Sequence, residues 1–157
     1  MALLTGDEII EIAARLEESG EAFYNAAAEK AVDASIKALF EELAIQEQYH
    51  RQAFQRMGRS VVELALSPEQ WDDFQAYTGA LLQNQFLASP ENALNIVAET
   101  KDEKAALQAA LGFEKETLLF FHELRNAIGA PGQQVVDRII QEEKQHVQRL
   151  TGMLAVA

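Results

Sequence analysis

Two short stretches of the sequence carry the same pair of metal-binding residue types at the same spacing. They are residues 47–50 (EQYH) and 143–146 (EKQH), and they contain two of the chain's three histidines. Residues three apart on a helix share a face, because three residues turn the chain by about 300° and advance it by about 4.5 Å. A carboxylate and an imidazole on one face can bind a cation together. The spacing therefore indicates a metal site if both stretches are helical and face the interior.

The surrounding sequence predicts that both stretches lie on the buried face of a long helix. One helix is expected from the cap residue Asp33 to about Gly58, and another follows the turn at residues 130–132. Their inward positions recur at three- and four-residue steps, which is typical of a helix in a bundle. These positions are Ile36, Phe40, Leu43, Glu47, His50, Phe54 and Met57 in the first helix, and Val136, Ile139, Glu143, His146, Leu150 and Met153 in the second.

Two further long helices are predicted, and each brings one glutamate inward. The first spans about residues 6–31 and begins at a capping box of Thr5 and Glu8. The other begins at a capping box of Thr100 and Glu103 and runs to about residue 128, with a glycine as its stop. Their inward glutamates, together with the two Glu-x-x-His pairs, complete the candidate ligand set. It consists of Glu17, Glu47, His50, Glu114, Glu143 and His146.

The two halves of the chain repeat one another. An offset of 97 residues relates Glu17 to Glu114, and an offset of 96 residues relates the two Glu-x-x-His stretches. Residues 59–99 separate the halves, with two short helices expected at about 68–86 and 90–98, each beginning with Ser-Pro. So long a connection can cross the full length of a bundle. We therefore predict an all-α four-helix bundle with a long crossover between the second and third helices, as a single domain over residues 1–157.

The candidate ligands would place four carboxylates and two imidazoles at one level of the helical core. Burying several carboxylates together is heavily penalised, and two divalent cations would neutralise their four negative charges. Mixed oxygen and imidazole ligands suit iron or manganese, and zinc is also possible. The alternatives are core histidines with ordinary hydrogen-bond partners and glutamates that extend to the bundle edge. Glu21, one turn past Glu17, is either a spare ligand or, as we favour, a solvent residue. His122 and Glu18 are expected outside the site.

Tyr24 breaks the symmetry between the halves, because the 97-residue offset relates it to Phe121. It follows Glu17 by seven residues, which returns it to within about 20° of the same direction and some 10 Å along the axis. We expect its ring to point inward, toward the second helix or its repeat. A buried phenol needs an acceptor, and a site carboxylate would suit. A distant backbone carbonyl is the alternative.

Composition narrows the choice of function. The absence of Cys excludes disulfides, thiolate metal ligands and a Cys nucleophile. The net charge of −12 argues against nucleic acid as a partner. No apolar run reaches the length of a membrane span, and we find no signal peptide. A cytoplasmic protein is therefore expected, with Trp71 and Phe74 packing the crossover rather than binding a ligand.

Four segments resemble the rubrerythrin-like branch of the ferritin-like di-iron carboxylate proteins. They are residues 16–24 (LEESGEAFY), 39–50 (LFEELAIQEQYH), 113–121 (FEKETLLFF) and 139–146 (IIQEEKQH). The resemblance implies a ferritin-like bundle that binds two iron ions. It implies that Glu47 and Glu143 bridge the two irons. Glu17 and Glu114 would then be terminal ligands, with His50 and His146 completing one metal each.

The same resemblance implies an oxidoreductase that acts on hydrogen peroxide or O₂ by Fe(II)/Fe(III) cycling. Two features depart from the family pattern. Rubrerythrins carry a further ligand glutamate where this chain has Thr117, and they usually append a Cys-rich domain that delivers electrons. An external electron-donor protein is therefore expected, and a homodimer is the expected assembly. An iron-handling ferroxidase or storage-type protein, or a bundle with a purely structural metal site, are the alternatives.

Overall fold

The computed structural model describes residues 6–58, 64–83 and 89–157, and these residues form six α-helices. The helices are α1 (Gly6–Lys30), α2 (Ala34–Met57), α3 (Pro68–Leu82), α4 (Pro90–Glu99), α5 (Glu103–Ala127) and α6 (Gly132–Val156). The four long helices α1, α2, α5 and α6 form a bundle, and α3 and α4 lie in the connection between α2 and α5. The predicted all-α four-helix bundle with a long crossover is therefore confirmed.

The bundle is built from two helical hairpins. Helix α1 packs chiefly against α2, and α5 packs chiefly against α6. Contacts of α1 with α5 and of α2 with α6 join the hairpins, and α4 packs along α1. In the first hairpin, the Asp33 carboxylate accepts the backbone N–H groups of Ser35 (2.8 Å) and Ile36 (3.0 Å). This cap starts α2 immediately after a three-residue turn, as predicted.

The positions that the sequence assigns to the interior are buried. All seven predicted inward positions of α2 are buried, and so are those of α6 except Met153, which is half-buried. Large apolar side chains lie on either side of the glutamate and histidine along α2, among them Phe40, Leu43 and Phe54. The polar residues are therefore enclosed in the middle of the bundle and not at its ends.

The start of α5 differs from the prediction. Asp102, not Thr100, is the cap: its carboxylate accepts the backbone N–H of Ala105 at 2.8 Å. Thr100 instead ends α4. Glu103 does not reach back to cap its own helix, because its carboxylate accepts the backbone N–H of Asp33 at 3.1 Å. The Glu103 side chain, which the sequence assigns to a local capping box, therefore forms a contact between the two hairpins instead.

Smaller differences concern helix ends. Gly58 follows the end of α2 with φ −67°, in the right-handed region and not in the left-handed conformation that a glycine at a helix end commonly adopts. Helix α3 ends at Leu82, four residues before the predicted end at about residue 86. Residue 86 and the predicted cap Thr5 both lie outside the described residues. The predicted Ser-Pro start of α3 is confirmed. Ser67 and Gln70 form a capping box there, with side chain-to-backbone hydrogen bonds of 3.0 and 3.2 Å.

The crossover is tied to the second hairpin. The backbone N–H of Ala65 donates to the carbonyl of Ala127 at 2.8 Å, next to the end of α5. Helix α3 packs on α5, with Trp71 and Phe74 buried and their rings stacked at a centroid distance of 5.4 Å. These two aromatic residues pack the crossover, as predicted.

We expect Gly20→Ala to destabilise the fold at the level of the candidate site. A methyl group at Gly20 would lie 2.9 Å from Cε1 of Phe113 and 3.2 Å from the carboxyl carbon of Glu47. Overpacking costs ~1–3 kcal/mol, which outweighs the gain of at most ~1 kcal/mol from removing a helical glycine. The matched control is Gly112→Ala, where the added methyl meets nothing within 4 Å. Urea unfolding should show Gly112→Ala more stable than wild type and Gly20→Ala less stable; equal stability of both variants would contradict the packing described.

Candidate metal centre

The six candidate ligands meet in the middle of the bundle. Each of the four long helices contributes: α1 one glutamate, α5 one glutamate, and α2 and α6 a Glu-x-x-His pair each. Five of the six side chains are fully buried, and His50 is 3% exposed. The residues are Glu17, Glu47, His50, Glu114, Glu143 and His146. Their enclosure means that water does not solvate these charges, so they must compensate one another or bind a counter-ion.

The ligand atoms fall into two overlapping groups of four. One group contains Glu17 and His50, and the other contains Glu114 and His146. Glu47 and Glu143 belong to both groups, and within each group the ligand atoms all lie within 4.8 Å of one another. Two carboxylates shared between two end groups could bridge a pair of cations.

Both imidazoles turn the same nitrogen toward the carboxylates. Nδ1 of His50 lies 2.9 Å from Oε1 of Glu143 and 3.5 Å from Oε2 of Glu17. Nδ1 of His146 lies 2.8 Å from Oε2 of Glu143 and 3.2 Å from Oε1 of Glu47. The two rings stack with centroids 5.6 Å apart. The Nδ1 atoms are therefore the ligand atoms that each histidine offers to the centre.

The outer nitrogens of the imidazoles contact two residues that the sequence analysis missed. Nε2 of His50 lies 2.6 Å from Oε2 of Glu142, and Nε2 of His146 lies 2.5 Å from Oε1 of Gln46. Each contact crosses between α2 and α6. A signal for both residues was present, because the 96-residue offset relates them and each directly precedes a shared glutamate.

The carboxylate oxygens show that cations fit here. Six of them accept no hydrogen bond from any residue that the structure describes: both oxygens of Glu17 and Glu47, and one each of Glu114 and Glu143. Buried acceptors are normally satisfied, and an ionised carboxylate has only acceptor sites to offer. A divalent cation satisfies such oxygens directly, and carboxylate together with imidazole is a donor set that iron or manganese binds.

Comparison with known proteins identifies the family. The family model for rubrerythrin matches residues 8–154. The chain belongs to the rubrerythrin family. Among solved structures, a Thermotoga maritima protein described as a ferritin-like diiron-carboxylate protein is similar, with a TM-score of 0.67 and 24% sequence identity over 99% of this chain and 97% of that one. A search of curated proteins finds no match. No helix in the described ranges combines the length and the apolar character needed to span a membrane.

These findings confirm the resemblance and the ferritin-like bundle that it implies. The rubrerythrin-family fold supplies a carboxylate and histidine cluster suited to iron. In this chain that cluster consists of the six predicted residues, which the bundle brings together without exception.

Burial and mutual repulsion shape the pKa values of this rubrerythrin-family centre. Burial and the neighbouring carboxylates raise the pKa values of Glu17, Glu47 and Glu114 well above the ordinary glutamate value. Burial also opposes ionisation of Glu143, but the charge of His146 and the hydrogen bond with His50 outweigh it and lower its pKa. Burial disfavours the charged form of His50, yet its bond to Glu143 raises its pKa to about 9. Without metal, protons therefore supply much of the compensating charge.

Tyr24 is buried beside the centre, and its hydroxyl donates to Oε1 of Glu114. The predicted bond to a site carboxylate is confirmed, and the backbone alternative is wrong. The predicted direction is only partly right: the ring lies 5.9 Å from that of Phe40 on α2, but the hydroxyl reaches α5. Burial, and then the negative charge of Glu114, raise the pKa of Tyr24, so it remains a neutral donor. Its repeat, Phe121, packs against Phe54 at 5.2 Å.

The remaining residues considered above lie outside the ligand groups. Glu21 accepts a hydrogen bond of 3.0 Å from Nε of Arg51 and is an ion-pair residue, not a spare ligand. Glu18 and His122 are exposed. Thr117 is buried one turn after Glu114, and its hydroxyl has no hydrogen-bond partner among the described residues.

We expect the metal-free protein to lose stability as the pH rises from about 6.5 to about 9. The pKa of His50 is raised from its ordinary 6.5 to about 9, so the folded chain holds more protons than the unfolded chain in this window. The raised pKa values of Glu17, Glu47 and Glu114 act with the same sign. The free energy of unfolding then decreases with increasing pH. The lowered pKa of Glu143 affects stability with the opposite sign. Its stabilising contribution is present throughout this window and is lost only as the pH falls below the ordinary glutamate pKa.

Thermal unfolding by circular dichroism in a chelator checks this expectation. The melting temperature should fall by roughly 3–6 °C across the window. The same protein loaded with a divalent cation should not show this fall, because the cations replace the protons. A metal-free melting temperature that stays constant or rises over the same range would contradict the assigned protonation.

Proposed function

We propose that this protein is a di-iron oxidoreductase of the rubrerythrin type, acting on hydrogen peroxide or O₂ with cycling between Fe(II) and Fe(III). The observation that supports this most directly is the pair of overlapping ligand groups that share Glu47 and Glu143. One cation position lies between Glu17 and His50, and we name it the Glu17 position. The other lies between Glu114 and His146, and we name it the Glu114 position.

The ligand roles follow from the groups. Glu47 and Glu143 would bridge the two positions, and Glu17 and Glu114 would each complete one end. Each histidine would bind through Nδ1, the nitrogen that faces the carboxylates. When bound, a pair of Fe(II) ions supplies the two electrons that reduce an O–O bond. Iron is the metal that the family suggests; manganese or zinc can occupy the same donors.

The chain's own residues prepare the centre for this chemistry. Four charges of the carboxylates balance four charges of two divalent cations, so the loaded centre is close to neutral in a dry core. Buried aromatic rings, among them Phe23, Phe40 and Phe113, exclude water from the carboxylates. The Tyr24 hydroxyl donates a hydrogen bond to Glu114 and would hold that carboxylate in a fixed orientation toward a cation at the Glu114 position.

The sequence contains no Cys that could hold a thiolate-bound redox group beside the centre. We include an external electron-donor protein in the proposal. We also include assembly as a homodimer, the common closed arrangement for such a bundle.

Iron handling by ferroxidation is a second candidate, and Thr117 favours it. Rubrerythrins carry a further ligand glutamate at this position, one turn after the terminal glutamate of α5. Here the residue is a buried threonine whose hydroxyl is unsatisfied among the described residues. The chain therefore lacks one ligand of the rubrerythrin pattern. This departure argues against repeated peroxide turnover of the rubrerythrin kind and favours simple oxidation of Fe(II).

Anaerobic loading with Fe(II), followed by peroxide or O₂, tests the proposed function. Metal analysis should give two irons per chain, and stopped-flow absorbance should show oxidation of both. Repeated consumption of peroxide in the presence of a chemical reductant would indicate peroxidase activity. Accumulation of Fe(III) beyond two per chain indicates iron handling instead. Bound metal that neither oxidant changes would leave a purely structural site.

The double variant His50→Ala/His146→Ala is the matched negative control for this experiment. Each substitution removes the imidazole from one position, so the double variant should retain well below two irons per chain and oxidise little. Circular dichroism shows whether it still folds. Two tightly held irons in the folded double variant would refute the ligand assignment.

We expect Tyr24→Phe to keep both irons and to slow their oxidation by peroxide or O₂. The substitution removes only the hydroxyl that donates to Glu114, while the ring keeps its contacts with Phe23 and Phe40. Loss of such a partner typically costs about 10- to 100-fold in affinity or activity. Tyr77→Phe, on the half-exposed surface of α3, is the control for loss of a phenol elsewhere. Equal oxidation rates for Tyr24→Phe and wild type would reduce Tyr24 to a packing residue.

A further inference from the structure

The two histidines are held by partners of different charge at equivalent positions of the repeat. Gln46 and Glu142 are related by the 96-residue offset and occupy the same place in the two halves. Each reaches across to the outer nitrogen of the histidine on the opposite helix, at 2.5 Å for His146 and 2.6 Å for His50. The geometry is therefore matched, and the chemistry differs: His50 has a carboxylate partner, whereas His146 has an amide partner.

This difference changes how strongly each imidazole can bind a cation through Nδ1. Glu142 has only acceptor oxygens when ionised, so Nε2 of His50 donates to it in a charge-assisted hydrogen bond. A carboxylate in this place makes an imidazole a stronger electron donor at its other nitrogen. The amide oxygen of Gln46 accepts a neutral hydrogen bond, which is about half as strong. His50 is therefore the stronger ligand of the two.

A second asymmetry acts in the same direction. The Tyr24 hydroxyl donates to Glu114 and so occupies one acceptor site of that carboxylate. Glu17, the equivalent ligand in the other half, accepts no hydrogen bond from the described residues, and Phe121 replaces the phenol in the repeat. Both carboxylate oxygens of Glu17 remain available to a cation, which again favours the Glu17 position.

We propose that the two cation positions are unequal and fill in order, the Glu17 position first and the Glu114 position second, with Glu142 as the positioning residue that sets the order. The inference rests on the proposed function in one respect, that a pair of cations binds here. It adds which position binds more tightly and why. The first cation occupies the end where a carboxylate supports the histidine, and the second completes the pair at the end where an amide and a phenol face the ligands.

Glu142 can be changed without disturbing the core. Its side chain is 43% exposed, and it lines a surface groove of about 440 Å³ together with Gln46 and Tyr49. Glu142→Gln keeps the shape of the side chain and removes its charge. Gln46→Glu makes the reverse change at the equivalent position. The two variants therefore exchange the chemistry of the two partners one at a time.

Titration of the metal-free protein with Mn²⁺ tests the proposal. Calorimetry gives the dissociation constants of the two steps, and electron paramagnetic resonance separates single from coupled Mn²⁺. The resonance spectrum of wild type should show isolated Mn²⁺ at one equivalent of metal and a coupled Mn²⁺ pair at two equivalents. Anomalous diffraction from crystals with one equivalent of Mn²⁺ should place the ion at the Glu17 position. Glu142→Gln should weaken the first step and reduce the ratio of the two constants at least about 10-fold. Gln46→Glu should reduce the ratio by tightening the second step instead.

Glu42→Gln controls for charge alone. Glu42 lies one turn before Gln46 on α2 and is paired with Arg149 at 2.6 Å, and it has no hydrogen bond to either histidine in the described structure. This variant should change the ratio less than about 2-fold, because long-range surface charge is screened. If it changes the ratio as much as Glu142→Gln does, the effect is electrostatic and not positional, and the proposal is wrong.

The outcomes separate this inference from the proposed function. Two Mn²⁺ ions bound with equal affinity, a first ion at the Glu114 position, or an unchanged ratio in Glu142→Gln would each overturn the order while leaving a two-cation site in place. Failure of wild type to bind Mn²⁺ at all would overturn the proposed function, and this inference with it.

Discussion

The structure depends on one electrostatic constraint: four glutamates are buried side by side in a core that water does not reach. Isolated carboxylates in such a place would be prohibitively unfavourable. Two imidazoles offset part of the cost, and the lowered pKa of Glu143 and the raised pKa of His50 are the signature of that compensation. Several carboxylate oxygens remain without a hydrogen-bond partner, and protons or cations must supply the positive charge that compensates them. Stability and function are therefore linked through the same few side chains.

The bundle meets this constraint by symmetry of construction. Two helical hairpins of similar sequence each contribute one terminal glutamate and one Glu-x-x-His, and their packing brings the two halves of the site into contact. A crossover long enough to run along the bundle allows the second hairpin to present its inward face to the first. Large apolar residues on either side of the site hold the helices in register. The departures from symmetry, Tyr24 against Phe121 and Glu142 against Gln46, then make the two positions chemically distinct.

Much of this arrangement was predictable because helical periodicity fixes direction. A glutamate and a histidine that replace leucines in an inward pattern must face the core, and the repeat related the two pairs. Periodicity gives the direction of a side chain but not which facing helix it contacts. The sequence therefore predicted a site carboxylate as the partner of Tyr24, but not that this carboxylate would be Glu114 on α5. Gln46 and Glu142 lie beside the inward positions, half-exposed, and only the repeat marked them. The cap of α5 was assigned to the wrong residue because Asp102 and Thr100 are both good caps, and a contact between hairpins engages Glu103.

Anomalous diffraction from crystals of the iron-loaded protein, collected on both sides of the iron absorption edge, tests the central claim most directly. The account predicts two iron peaks per chain at the centre of the bundle. One should lie between Glu17 and His50, the other between Glu114 and His146, and both should contact Glu47 and Glu143. A single peak, or iron bound only at the surface while the buried carboxylates stay unliganded, would contradict it.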